Sequence, residues 1–151
     1  MAYKFFEEKI PENGLTYGEY IHNWEKEISA FKVEDASEKE KKNNEYKKLN
    51  LQRTRRVEKQ YKVSSELKEA LKTIDEEQLW MVITENWCGD SAQNLPIIAK
   101  IAGESPMINF KIIARDSHLN IIDNFLTNGT RSIPKLVAFD KNGNELFQWG
   151  P

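Results

Sequence analysis

The sequence predicts an α/β fold: a mixed four-stranded sheet with flanking helices, preceded by an N-terminal helical extension. Three observations lead there. Short apolar runs suited to strands occur only in the second part of the chain, where helical stretches separate them. A tight-turn signal joins the last two runs. Charge is divided unevenly: residues 1–78 hold 16 of the 22 basic and 17 of the 24 acidic residues. Residues 79–151 must therefore form the core, and residues 1–78 are expected to be a helical extension packing on it.

The first part reads as helices throughout. Thr16-Tyr17-Gly18-Glu19 has capping-box form, with a side-chain acceptor and a glutamate three residues on. Tyr17, Tyr20, Ile21, Trp24, Ile28 and Phe31 follow at helical spacing. Ser37-Glu38-Lys39-Glu40 is a second box, opening a long helix with Tyr46, Leu49, Arg53, Val57 and Tyr61 on one face. Ser64 or Ser65 caps a third helix carrying Leu67, Leu71 and Ile74.

The second part alternates. Leu79–Thr84 is a buried strand, Ser91–Ala102 a helix with Pro96 inside it, and Phe110–Ala114 a second strand. Leu119–Leu126 is a short helix stopped by Asn128-Gly129. Leu136–Phe139 and Glu145–Trp149 are strands, and Asn142-Gly143 between them predicts a type I′ hairpin. A right-handed crossover joins the first two strands.

Composition narrows the function. The chain has 151 residues, a formal net charge of −2 and one cysteine. That charge draws it to neither nucleic acid nor membrane, and one cysteine excludes an internal disulfide framework. No apolar run spans a membrane. Met1–Glu8 places two acids where a signal peptide needs apolar residues. The expectation is a soluble, cytoplasmic protein.

The chemistry concentrates at Asn86-Trp87-Cys88-Gly89-Asp90-Ser91, between the first strand and the next helix. Cys88 stands at a helix N-terminus, where N–H groups and the helix dipole favour a thiolate. The Ser91 hydroxyl, one turn on, is placed to donate to the same sulfur. Asp90 acts against it, since a nearby carboxylate disfavours a second negative charge. The competing reading is a lone cysteine serving as a small buried hydrophobe.

Val82-Ile83-Thr84-Glu85-Asn86-Trp87-Cys88-Gly89 resembles the strand and Trp-Cys-Gly turn of thioredoxins. Gly129-Thr130-Arg131-Ser132-Ile133-Pro134, followed by Leu136–Phe139, resembles their second signature, a cis-proline loop leading into a strand. Asp140–Gly143 and Gly150 fall where that family has its last hairpin and a late glycine. The resemblance covers residues 79–150. Within the family the chain looks most like a bacterial thioredoxin-like subgroup with a helical N-terminal extension.

The departures bear on function. Thioredoxins carry a second cysteine where this chain has Ser91, and a buried acid where it has Val82. Single-chain dithiol reduction is thereby excluded. The resemblance implies monothiol exchange on a protein or small-molecule disulfide: Cys88 attacks, and an external low-molecular-weight thiol resolves the product. Such a Cys-x-x-Ser site is similar to monothiol glutaredoxins. No other cofactor and no metal is expected, and no oligomeric state is predicted. Pro134 is implied to lie beside Cys88, with Trp87 and the Ile133 backbone in the substrate surface. Arg131 and Lys135 either hold substrate carboxylates or are exposed loop cations.

Other features weigh less. His22 and His118 lack partners at metal-ligand spacing. Asp116 reads as a helix cap. Residues 39–62 hold ten Lys or Arg and three Glu, with Arg53, Arg55 and Arg56 bunched. That stripe reads as a solvated helix face; the rival is phosphate contact. A third reading is a redox-inactive binding module that uses the Pro134 loop, with Cys88 incidental. The core is expected to lack the C-terminal helix of its family after Gln148-Trp149-Gly150-Pro151. Either the natural protein continues, the favoured expectation, or the N-terminal helices cover the open sheet face.

Overall fold

The computed structural model describes residues 3–151; Met1 and Ala2, part of the stretch read for a signal, lie outside the described residues. The elements run α1 (Tyr17–Ala30), α2 (Glu38–Gln60), α3 (Ser65–Leu71), β1 (Gln78–Thr84), α4 (Gly89–Gly103), β2 (Ile108–Ala114), α5 (Leu119–Ile122), β3 (Lys135–Asp140) and β4 (Glu145–Trp149). Short 3-10 turns occupy Lys4–Phe6 and Val33–Asp35. Both capping boxes form. Thr16 Oγ1 accepts from the Glu19 N–H at 3.2 Å while Glu19 accepts from the Thr16 N–H at 2.9 Å. Ser37 and Glu40 do the same, and Ser64 caps α3. A side-chain cap of this kind contributes about 1 kcal/mol.

The four strands order as β2-β1-β3-β4. β1 runs parallel to β2 and antiparallel to β3, and β4 runs antiparallel to β3. This is the mixed sheet that the element order predicts, with α4 as the crossover. Outside β2, Leu15 exchanges two main-chain hydrogen bonds with Ile112, at 2.9 and 2.8 Å, extending that edge by one residue.

Strand periodicity sorts the core into two layers. Met81, Ile83, Val137 and Phe139 face one side, where Phe5, Ile121, Ile122 and Phe125 cover them. Trp80, Val82, Leu136 and Ala138 face the other, against Leu95, Ile98 and Ala102 of α4 and Leu71 of α3. Leu67 also packs on that second layer. Trp24 is buried between α1 and α2, its Nε1 donating to the Lys47 carbonyl at 3.1 Å.

The docked face of α2 differs from the one its apolar spacing predicts. Tyr46 and Leu49 are exposed, while Asn44, Asn50 and Thr54 are buried. The reason lies in α4. Pro96 has no N–H, so the Ala92 carbonyl one turn earlier loses its helical donor. The Thr54 hydroxyl supplies one at 3.1 Å. At the far end of the contact, Lys100 of α4 donates to the carbonyls of Glu58 and, at 2.8 Å, Tyr61, capping the C-terminus of α2. Polar docking of this kind leaves no periodic apolar signal.

Two further expectations change. Lys141 and Asn142 keep negative φ, and only Gly143, at φ 80°, takes the left-handed region, so the last hairpin is not type I′. Asp140 Oδ1 accepts from the N–H groups of Asn142 and Asn144 at 2.8 and 2.9 Å, and the ladder shifts register between Ala138 and Phe139. The N-terminal helices do not cover the β4 end of the sheet. Leu146, Phe147 and Trp149 remain exposed, and a groove of about 370 Å³ lies between Ile97, Ile98 and Ile101 of α4 and Leu136, Phe147 and Trp149. Among the described residues, no helix is long and apolar enough to cross a membrane.

Candidate functional site

β1 delivers the site. It ends at Thr84; Glu85-Asn86-Trp87 turns the chain, and Cys88 is the N-cap residue of α4. Cys88 is half-buried and packs against the layer containing Ile133 and Phe125. Its Sγ lies 3.7 Å from the Ile133 carbonyl, within hydrogen-bonding range for a sulfur donor. The two segments that carry the resemblance, separated by 45 residues in sequence, therefore meet at the sulfur. The Ile133–Pro134 bond is cis, as expected. Among the described residues the Ile133 main-chain N–H has no hydrogen-bond partner.

Ser91 does not stand where the sequence reading put it. Its hydroxyl is buried and accepts from Thr84 Oγ1 at 2.6 Å, which ties α4 to the end of β1. Its hydrogen bond is made there and not to the sulfur. Next to this pair the Tyr20 hydroxyl is buried, and burial, with the Glu85 charge, raises its pKa.

Of the two flanking cations, Arg131 is engaged. Arg131 forms a two-point pair with Asp123, at 2.7 and 3.0 Å, so a substrate carboxylate there would compete with Asp123. That pairing holds the Asp123 carboxyl below its ordinary range. Lys135, for which one of the two readings was an exposed loop cation, is instead buried at the start of β3. A side chain at Gly150, across from it, would meet the Pro134 carbonyl at 2.6 Å. Trp87 is half-buried under the guanidinium of Arg115, whose Cζ lies 5.1 Å from the ring centroid. Such stacking contributes about 0.5–1 kcal/mol at an exposed site. Arg115 also donates to Asp116 at 3.0 Å and to the Arg131 carbonyl at 3.0 Å, bracing the loop before Pro134. Asp116, read as a helix cap, gives its N–H to Glu85 at 2.8 Å, and His118 is the N-cap residue of α5. Half-burial of Glu85 raises its pKa. His118 Nδ1 lies 3.0 Å from the Ala114 carbonyl. Among the described residues no group of His, Cys, Asp and Glu is arranged to hold a metal ion.

A set of site residues comes from the N-terminal helices, and motif reading did not find them. Asn50 Nδ2 donates to the Asn86 carbonyl at 3.4 Å, and Arg53 Nη1 donates to Asn50 Oδ1 at 3.0 Å. Asn86 Nδ2 donates to Glu27 at 3.0 Å, and Lys47 pairs with Glu27 at 3.3 Å. A β-carbon at Gly89 would lie 3.3 Å from Arg53 Nη1. Arg53, counted above in a solvated basic stripe, is thus laid over the residue that follows Cys88. The available signal was polar: Asn50 lies within the predicted apolar face, and Thr54 lies beside it.

Comparison with known proteins follows the same lines. A crystal structure of a protein of unknown function from Pseudomonas aeruginosa matches with a TM-score of 0.56 and 17% identity, covering 89% of this chain and 76% of that one. The crystal structure of an HIV epitope-scaffold matches with a TM-score of 0.57 and 18% identity, again over 89% and 76%. At these identities the likeness is one of fold. A search of the curated proteins finds no match. A family model described as thioredoxin matches residues 16–151, taking in both the helical segment and the sheet. The chain belongs to the thioredoxin family.

Proposed function

We propose that the protein is a monothiol thiol–disulfide oxidoreductase with Cys88 as its nucleophile. The observation that carries this reading is the 3.7 Å approach of Cys88 Sγ to the Ile133 carbonyl, beside a main-chain N–H that has no partner among the described residues. A substrate segment lying along Ile133 would have its disulfide next to the sulfur, and Pro134 would shape the surface that receives it. Trp87, steadied by Arg115, would form one wall.

The reaction balances without a further oxidant or reductant. The Cys88 thiolate attacks one sulfur of a mixed disulfide. The S–S bond breaks, the substrate thiolate leaves, and Cys88 holds the other half as a new disulfide. A thiolate of the low-molecular-weight co-substrate then attacks that disulfide, freeing Cys88 and departing in a disulfide of its own. With Ser91 in place of a resolving cysteine, the second attack comes from outside the chain. Ser91 would act through position, by tying the first turn of α4 to Thr84. The reading belongs in a reducing cytoplasm, where such thiols are abundant.

The test is turnover. A cysteinyl peptide carrying a glutathione mixed disulfide is incubated with the protein and excess glutathione, and release of peptide thiol is followed. Catalysed release that disappears in Cys88→Ser is the expected result; equal rates with both proteins would sink the proposal. The free Ile133 N–H also favours a second reading, a redox-inactive binding module at the Pro134 loop. It predicts peptide binding that survives Cys88→Ser.

A further inference from the structure

We propose that Arg53 is the group that selects the thiol co-substrate, by receiving a carboxylate placed beside the sulfur that attacks the Cys88 disulfide. This rests on the exchange reading above. Of the cations around the site, Lys135 is buried at the start of β3, and three others are matched by carboxylates. Lys47 is answered by Glu27, Arg115 by Asp116 and Arg131 by Asp123. Arg53 is half-buried against the same turn, and among the described residues it has no carboxylate partner. Its one hydrogen bond, to the neutral Asn50 Oδ1, uses Nη1 and leaves the rest of the guanidinium fork open.

Position gives this open cation a role. Arg53 Nη1 lies 3.3 Å from where a Gly89 side chain would begin, directly after Cys88. Asn50 fixes it there and is itself anchored on the Asn86 carbonyl. A planar fork held in this way matches a carboxylate. The ligand class is a low-molecular-weight thiol that carries a carboxylate.

Paired reagents of opposite character test it. Cys88 is alkylated with anionic iodoacetate and with neutral iodoacetamide, and the ratio of the two rates is taken. Both reagents need the same thiolate, so the ratio cancels any change in Cys88 ionisation. At low salt, Arg53→Gln is expected to lower the ratio roughly threefold to tenfold, the range for one charge a few ångströms away near a surface. Arg55→Gln, on the same helix but paired with Glu25, is expected to leave it within about twofold. In the native protein the ratio is expected to fall as salt rises to about 0.5 M, a measurement that needs no variant to fold. Resolution of a preformed Cys88 mixed disulfide by mercaptoacetate relative to 2-mercaptoethanol should fall in parallel in Arg53→Gln. An unchanged ratio in Arg53→Gln, an equal fall in Arg55→Gln, indifference to salt, or an effect confined to alkylation overturns the assignment and leaves the exchange reading intact. A Cys88 inert to both reagents overturns both.

Discussion

The hydroxyl of Thr54 stands in for the amide hydrogen that Pro96 lacks. It donates to the Ala92 carbonyl at 3.1 Å, inside a contact where Thr54 is fully buried. A proline in a helix interior ordinarily leaves a carbonyl exposed or unpaired. Here the defect in α4 is the docking point for α2, and it lies one turn past Cys88.

Thr54→Val should therefore destabilise the fold by about 1–3 kcal/mol, the penalty for a buried acceptor left without its donor. Pro96→Ala restores a helical N–H to Ala92, so Thr54→Val should cost less than half as much in that background. Urea unfolding of the four proteins measures the coupling. Strictly additive losses would mean that the two residues do not share the carbonyl.

Lys100 caps α2 by donating to the Glu58 and Tyr61 carbonyls. Lys100→Met keeps the aliphatic stem and removes the donors, at a cost of about 0.5–1.5 kcal/mol. Amide exchange should speed up in the last two turns of α2 before it does elsewhere. Uniform acceleration across the sheet would contradict a local cap.

Glu85 gives a pH signature. Its folded pKa is raised above the ordinary 4.5, with half-burial as the largest cause. The folded chain thus binds this proton more tightly than the unfolded chain. The stability so gained is present below the ordinary value and is lost as pH rises through the folded value. At pH 7 the native protein buries a charge that Glu85→Gln would remove, while the amide oxygen still accepts from Asp116. The variant should melt about 1–3 °C higher at pH 7, and the gain should fade near pH 4. An equal gain at both pH values would point to a different cause.

Asp123 shows the opposite shift. Arg131 holds its carboxyl low, so this pairing supports the fold above the ordinary carboxylate range and is lost as pH falls through the depressed value. Asp123→Asn leaves Arg131 beside Ile133 without its counter-charge. In the exchange assay, KM for an acidic peptide substrate should then drop by roughly twofold to fivefold, as for an exposed ion pair, with kcat unchanged. A KM indifferent to the change would show that Arg131 does not reach the substrate.

Legibility in the sequence followed the range of the interactions. The strand and helix segments and both capping boxes depend on local patterning, and residues 16–19 or 79–84 carry that information within themselves. Cys88, Trp87 and Pro134 are legible as candidates because each sits in a short contiguous motif. The docking face of α2 was misread because it is held through Asn50, Thr54 and Lys100, and a helix whose inner face is polar gives no apolar stripe. Helical spacing set Arg53 apart from Arg55 and Arg56, on the face with Tyr46 and Val57, but only the roll of α2 against α4 brings it to Gly89. Spacing alone aims Ser91 at the sulfur, whereas the fold buries its hydroxyl against the end of β1, where Thr84 donates to it. The hairpin turned on whether Asn142 or only Gly143 adopts positive φ, and the turn that forms has Asp140 Oδ1 accepting from the N–H groups of Asn142 and Asn144.

Gly150 gives the end of β4 a hold on the loop. At φ 152° it lies so close to Pro134 that a side chain would press on that residue's carbonyl at 2.6 Å. The outer strand is otherwise permissive, since all five of its residues are exposed and most of their side chains can vary without disturbing the core. Tolerance to mutation should thus change abruptly between neighbours, broad at Gln148 and nearly absent at Gly150. A substitution at the rim of the sheet would be felt as a displaced loop beside Cys88.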